Sequence, residues 1–396
     1  MGSGAIALSP DGKNVYVASS QSDAIAIFRR NARTGTLTQP KGAPGCIAAK
    51  GAGGCATAVG LDGPNSVAVS PDGHNVYATS RASNSIGIFH RDGSTGALTQ
   101  LPAAAGCISG LPVPVCAGGR ALVGPDVVVI SPDGANVYVG SFFGNAVAVF
   151  DRDRATGALT QPGDSTGCIA EAISGCASGL ALGAPEGMAI SGDGASVYVA
   201  AALSNAVVVL ARNQVTGTLT QASDGSGCIV DATLTGCTTG VELSGANAVA
   251  FNPGGDVYVT SLFSNSVTSF TRSHSSGVLT QKEGTSGCLV YLRAVGCSFG
   301  RALIAPEGLA ISPDGANVYA AAFKTGAIDV LDRNKKSGSV AQKPGGAGCL
   351  APDSVPGCTR ARALSGVSSI ALSPDGRYLY STSFGSNAVD IFRRSK

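Results

Sequence analysis

PNSVAVSPDGHNVYATSRASNSIGIFHRDGSTGALTQ, residues 64–100, decides the fold. It divides into four short runs, SVAVS, NVYATS, SIGIFHR and ALTQ, each alternating or uniformly β-branched and apolar, which is the mark of strands. The turns between them follow backbone chemistry. In SPDG, Pro fixes φ at the first turn position, Asp tolerates the bridge region, and Gly takes positive φ before the next strand begins.

The same phrase returns along the chain. SPDG starts at Ser9, Ser70, Ser131, Ser312 and Ser373, with variants at Ser191 and Asn252, at spacings of 61, 61, 60, 61, 60 and 61 residues. Seven units with boundaries near 1–62, 63–123, 124–184, 185–244, 245–304, 305–365 and a partial 366–396 result. Four-stranded antiparallel units repeated at this period form a ring. The expectation is an all-β, seven-bladed β-propeller spanning 1–396 as a single domain, with a three-stranded last blade. Only MGSG precedes the first strand, so closure by strand exchange is not expected, and the seam should be the weakest point of the ring.

Three columns support that reading. Asn84, Asn145, Asn205, Asn265 and Asn387, with Asp23 and Gly326, share one place between the second and third strands. All three residue types accept the left-handed region. Tyr16, Tyr77, Tyr138, Tyr198, Tyr258, Tyr319 and Tyr380 form a second column, and Phe28, Phe89, Phe150, Phe270 and Phe392 with Leu210 and Leu331 a third. Both are expected to pack between blades.

Each of the first six units carries a cysteine pair after its fourth strand: Cys46/Cys55, Cys107/Cys116, Cys168/Cys176, Cys228/Cys237, Cys288/Cys297 and Cys349/Cys358. The connection holding them runs to about 25 residues, beyond the usual loop length, and needs internal restraint. A disulfide over so short a loop contributes roughly 2–3 kcal/mol in the loop-entropy model. Structural zinc wants closer Cys-x(2–4)-Cys knuckles, so six local disulfides are expected, holding long loops in place. They imply a secreted, periplasmic or cell-surface protein.

At SPDGANVYV, SNAVVV and DRDRATGALTQ the sequence resembles the lactonase-type, YVTN-like propeller family, which includes 6-phosphogluconolactonase-like proteins. The resemblance covers nearly the whole chain. It implies seven blades and a ligand site on the face carrying the second-to-third-strand loops, with the cysteine loops as an addition. It rests on turn and packing residues, and no catalytic set carries over.

Composition narrows function further. Only 13% of residues are charged, the formal net charge is +2, and no basic run occurs. Neither nucleic acid nor an anionic membrane finds an electrostatic footprint there. No stretch of 18 apolar residues suggests a membrane span, and MGSGAIALSP lacks the basic and long apolar regions of a signal peptide. His74, His90 and His274 fall at the face opposite the ligand face, which disfavours a histidine-based hydrolase.

Two rings of candidate site residues remain. Five residues before each SPDG serine stand Gly4, Asn65, Asp126, Glu186, Asn247, Glu307 and Ser368, where the chain enters the innermost strand. Such oxygen ligands suit calcium or another divalent cation, which would polarise a lactone carbonyl or activate water. Alternatively they cap strand ends, with Arg120, Arg301 and Arg362 six positions upstream as partners. The second ring, on the strand loops, contains Arg81, Phe142, Leu262, Phe323 and Phe384, with Lys324 adjacent, and makes an apolar collar fit for an organic anion or a partner's side chains. The leading expectation is a scaffold that binds a small-molecule or protein ligand through its top face. The alternatives are a lactonase-like hydrolase and a structural module of an extracellular assembly or filament. Oligomeric state is not legible.

Overall fold

The computed structural model describes residues 5–292 and 294–395. Seven sheets form the blades of a propeller: six sheets have six strands each, and the seventh has three. The ring residue Gly4 lies outside the described residues.

The second blade shows how a unit is built. Pro64–Val69, Asn75–Ser80 and Ser85–Arg91 pair antiparallel from the axis outward. The third strand has seven residues, but Leu98–Gln100 pairs only its lower half, Leu98 opposite Arg91. The upper half is covered by Cys107–Ser109, with Cys107 opposite Gly87 and Ser109 opposite Ser85. Ala117–Gly118 then runs parallel to that segment. The cysteine connection thus completes the blade's outer edge, and the four-strand unit expected from sequence gains two short strands.

The disulfides join the expected partners, Cys46 to Cys55, Cys107 to Cys116, Cys168 to Cys176, Cys228 to Cys237, Cys288 to Cys297 and Cys349 to Cys358, with Cα atoms 4.8–4.9 Å apart. Their setting corrects the expectation of stapled loops. The first cysteine of each pair lies in the strand laid against the third strand. Cys55, Cys116, Cys176, Cys297 and Cys358 each stand one residue before the parallel strand, and Cys237 is the first residue of its own. All six of these second cysteines are half-buried. Each bond therefore ties two adjacent edge strands together. The physical reason is that a long third strand leaves upper backbone groups that a short fourth strand cannot pair, and the cysteine segment supplies partners for them.

The apolar core lies between blades. Tyr77, Ile86 and Ile88 of the second blade pack with Val137, Phe150 and Leu159 of the third, all buried. The left-handed column holds at every copy, with φ between 47° and 62°. It also does more than turn the chain. Asn84 Oδ1 accepts from Gly124 N–H of the next blade at 2.7 Å, and Asp23, Asn145, Asn205 and Asn265 repeat the bond.

At the opposite face a polar clasp joins each blade to its neighbour. Arg152, at the end of a third strand, donates from Nε to Tyr77 Oη (2.8 Å), from Nη1 to Gly134 O (3.0 Å), and from Nη2 to Asp72 (2.8 Å) and Asn75 Oδ1 (2.6 Å). Tyr77 in turn donates to Gly157 O at 2.8 Å. Burial alone would raise the Asp72 pKa. Bonds from the Ser70 hydroxyl and His74 N–H, together with Arg152, outweigh it and hold the carboxyl below its usual value. Arginine is suited to this because its planar fork spends several donors at once without losing its charge.

The clasp also bridges the seam. Arg30 donates to Tyr380 Oη (2.7 Å) and Asp375 (3.2 Å), and Tyr380 donates to Gly35 O (2.8 Å). Val15 and Val17 pack against Tyr378 and Tyr380 there. The last blade, Val367–Leu372, Tyr378–Ser383 and Ala388–Arg393, has three strands as expected, and among the described residues side-chain contacts join it to the first blade.

Candidate functional site at the channel mouth

The innermost strands share one irregularity. Register against the second strand slips between Pro64 and Ser66, Pro125 and Val127, Pro185 and Gly187, Ala246 and Ala248, Pro306 and Gly308, and Val367 and Ser369. The residues bulged out are Asn65, Asp126, Glu186, Asn247, Glu307 and Ser368, the inner ring. A bulge leaves one residue unpaired in the ladder and re-aims its side chain, a device common beside binding sites. Six bulges at one level put side chains about 60 residues apart in sequence around a single cavity of about 360 Å3, which all six line.

Within it the ring divides. Asn247 is committed to structure: its amide donates to Pro306 O (3.0 Å) and its carbonyl accepts from the Thr260 hydroxyl (2.9 Å). Asn65 donates to Asp126 O (3.1 Å) and to the Asp126 carboxylate. Arg81 grips the same carboxylate through Nε (3.1 Å) and Nη2 (2.5 Å), and its guanidinium lies 4.5 Å from the centre of the Phe142 ring. Among the described residues, Asn65 Oδ1 and Ser368 Oγ are buried without a hydrogen-bond partner.

Three carboxyl groups in so confined a space perturb one another. Burial pushes Asp126 up, and the Arg81 charge opposes that shift. Glu186 is pushed up to about 8, chiefly by burial and then by the negative charge of Asp126, with Glu307 adding to it and Arg81 opposing. Burial, reinforced by Asp126, pushes Glu307 up to about 7. Near neutral pH the mouth therefore holds one largely neutral carboxylic acid, one carboxyl near its midpoint, and a fixed guanidinium.

This donor set does not fit a divalent cation. Among the described residues no group of three or more His, Cys, Asp or Glu is placed to hold a metal ion. The Asp126 carboxylate is taken by Arg81 and Asn65, and the Asn247 carbonyl accepts from the Thr260 hydroxyl.

The collar is split. Arg81, Phe142 and Leu262 line the cavity. Phe384 lines a separate hollow between the first and seventh blades, Phe323 lies against Gly366, and Lys324 is exposed. Arg120 and Arg301 do not pair with the carboxylates. Arg120 donates to Pro162 O (2.7 Å), Asp164 O (2.6 Å) and Gly175 O (3.0 Å), and Arg301 to Lys343 O (3.1 Å) and Gly345 O (2.6 Å), so each braces the next blade's cysteine segment. Arg362 is exposed, as are His74, His90 and His274, none of which lines the cavity. The disulfides stand apart from it as well, since no cysteine lines it. Sequence reasoning missed the bulges, since register is a property of two strands together. The glycine or proline that stands beside most ring residues was the available signal.

Comparison with known proteins bears on the fold. The family model described as Lactonase, 7-bladed beta-propeller, matches residues 1–117, 123–230 and 184–355, and a WD domain, G-beta repeat model matches 359–388. No curated protein matches the chain. Among solved structures, a candidate 6-phosphogluconolactonase of Bacteroides fragilis is 18% identical over 96% of this chain and 90% of its own, with TM-score 0.67. The periplasmic gluconolactonase PpgL of Pseudomonas aeruginosa is 19% identical over 86% and 83%, with TM-score 0.55. Virginiamycin B lyase of Staphylococcus aureus is 13% identical over 100% and 95%, with TM-score 0.58. At such identities the likeness is one of fold. With its seven blades and a family match running through most of its length, the chain belongs to the seven-bladed β-propeller lactonase family.

Proposed function

We propose that the channel mouth binds a small polar lactone and opens its ring by metal-free hydrolysis. The observation that carries this reading is the presence of Glu186 and Glu307, with pKa values raised to about 8 and about 7, in one cavity with Arg81. Two carboxyls whose surroundings push them toward neutrality are suited to acid–base work on an ester. Glu307, the more readily ionised, takes a proton from the attacking water. Arg81, held by Asp126 and Phe142, faces the charge that develops on the carbonyl oxygen. Glu186, still protonated, gives its proton to the ring oxygen as the C–O bond breaks. Water and lactone become a hydroxy acid, and the net proton count at the site is unchanged.

The disulfides support placing this activity outside the cytoplasm, because six local pairs persist best in an oxidising compartment. Among the described residues no helix is long and apolar enough to cross a membrane. A second reading, a top face that binds a partner without catalysis, is favoured by Phe143, Leu203 and Phe263, which are 63%, 69% and 66% exposed on the loops around the mouth.

A panel of aldonolactones and simple alkyl lactones, incubated with the protein with and without a chelator, separates these readings. Saturable ring opening that survives the chelator is expected for at least the hydroxylated lactones. Hydrolysis no faster than background across the panel would leave the partner-binding reading in its place.

A further inference from the structure

The charges at the channel mouth bear on what it can admit. Among the described residues lining the cavity, Arg81 is the sole Lys, Arg or His, against the three carboxyl groups of Asp126, Glu186 and Glu307. Arg81 and Asp126 each stand out from their columns. The other collar positions, Ser20, Phe142, Ala202, Leu262, Phe323 and Phe384, carry no charge, and no other ring position holds an aspartate. The two meet across the boundary between the second and third blades, where Arg81 Nε (3.1 Å) and Nη2 (2.5 Å) both donate to Asp126 Oδ1. The Asn65 amide donates to the same oxygen. Three donors on one oxygen favour the ionised carboxylate, so guanidinium and carboxylate cancel.

A site built for an anionic group offers its cation to the ligand, as an arginine fork does to phosphate. Here the fork is turned to the protein's own carboxylate. A phosphate ester carries a charge of about −1.5 to −2 near neutral pH. It would enter beside Glu186 and Glu307 with no net positive charge to receive it, and burying an unpaired charge is costly. An uncharged lactone meets no such penalty.

We propose that Asp126 sets the charge preference of the mouth: by occupying Arg81 it lets uncharged lactones in and turns anionic ones away, phosphate esters included. Selectivity of this kind comes from an element that disfavours the wrong ligand. Asp126 acts through Arg81 and is a positioning residue. The hydroxy acid left by ring opening is itself an anion, so the same arrangement favours its release. The preference takes its substrate from the lactone-opening reading above, yet it can be measured without turnover.

The test compares an aldonolactone with its phosphate ester, on the wild type and on Asp126→Asn, at about pH 6, below the midpoints of both glutamates. The wild type should favour the uncharged lactone in kcat/KM by about 100-fold or more, and Asp126→Asn should narrow that ratio at least about tenfold. A general loss of activity or stability would leave the ratio where it was. Inorganic phosphate, titrated while the glutamate carboxyl resonances are followed by NMR, gives the readout without turnover. Millimolar phosphate should shift them in Asp126→Asn and not in the wild type. Asp126→Ser, which also removes the charge, serves as the second variant should the first not fold. A wild type that prefers the phosphate ester or binds phosphate would overturn the proposal, as would a ratio and a phosphate response unmoved by the loss of Asp126. If no lactone is opened, the hydrolase reading falls, while the phosphate titration still decides the charge preference.

Discussion

Replacing Arg152 with methionine should destabilise the protein by about 2–4 kcal/mol, the range for removing one member of a buried, hydrogen-bonded charge pair. Methionine keeps the bulk of the stem but leaves Asn75 Oδ1 and the Gly134 carbonyl without their donor, and Tyr77 without one of its two bonds. Asp72 is about a third exposed, so water recovers part of its loss, which keeps the cost below the extreme. Arg152→Lys should be nearly as damaging, because an ammonium cannot span all four acceptors. Denaturant melts of the three proteins check this, and a cost under about 1 kcal/mol for Arg152→Met would show that the clasps are ornamental.

Glu186→Gln should lower kcat on a responsive lactone by about 100-fold or more, with KM changed only a few-fold, since the amide keeps the shape and loses the transferable proton. Glu307→Gln should match it. The wild-type pH profile follows from the signs of the two shifts. Glu307 must be ionised to act as base, so activity rises as pH passes about 7. Glu186 must stay protonated to act as acid, so activity falls as pH passes about 8. The result is a narrow bell whose limbs belong to the coupled pair. A flat profile from pH 6 to 9 would contradict the assignment.

The fold was legible wherever one residue carries its own reason. SPDG states its turn, the Asn column states its left-handed backbone, and Cys pairs eight or nine residues apart state their bond. The inner ring was legible too, because a fixed offset from each turn, closed into a ring, must converge. What stayed hidden depends on partners distant in the chain. Arg30, Arg91, Arg152, Arg212, Arg272, Arg333 and Arg394 recur at 60 or 61 residues. Their partners Tyr and Asp lie 74–80 residues back, or across the seam for Arg30, so each Arg reads locally as a solvated strand end. The pairing of Arg120 with the ring residue six positions downstream was a plausible local reading that failed because the side chain instead reaches the cysteine segment of the next blade. The cysteine segment read as an inserted loop for a similar reason. Only the mismatch between a seven-residue third strand and a three-residue fourth shows the edge it covers.

Carboxyl titration by NMR, with isotope-labelled glutamate assigned through Glu186→Gln, reaches the heart of the account: that distant repeats crowd their acids together at the axis. A Glu186 midpoint near 8 that falls when Asp126→Asn removes the neighbouring charge is the predicted outcome. A midpoint in the ordinary carboxylate range, unmoved by Asp126→Asn, would mean that these side chains do not share a site.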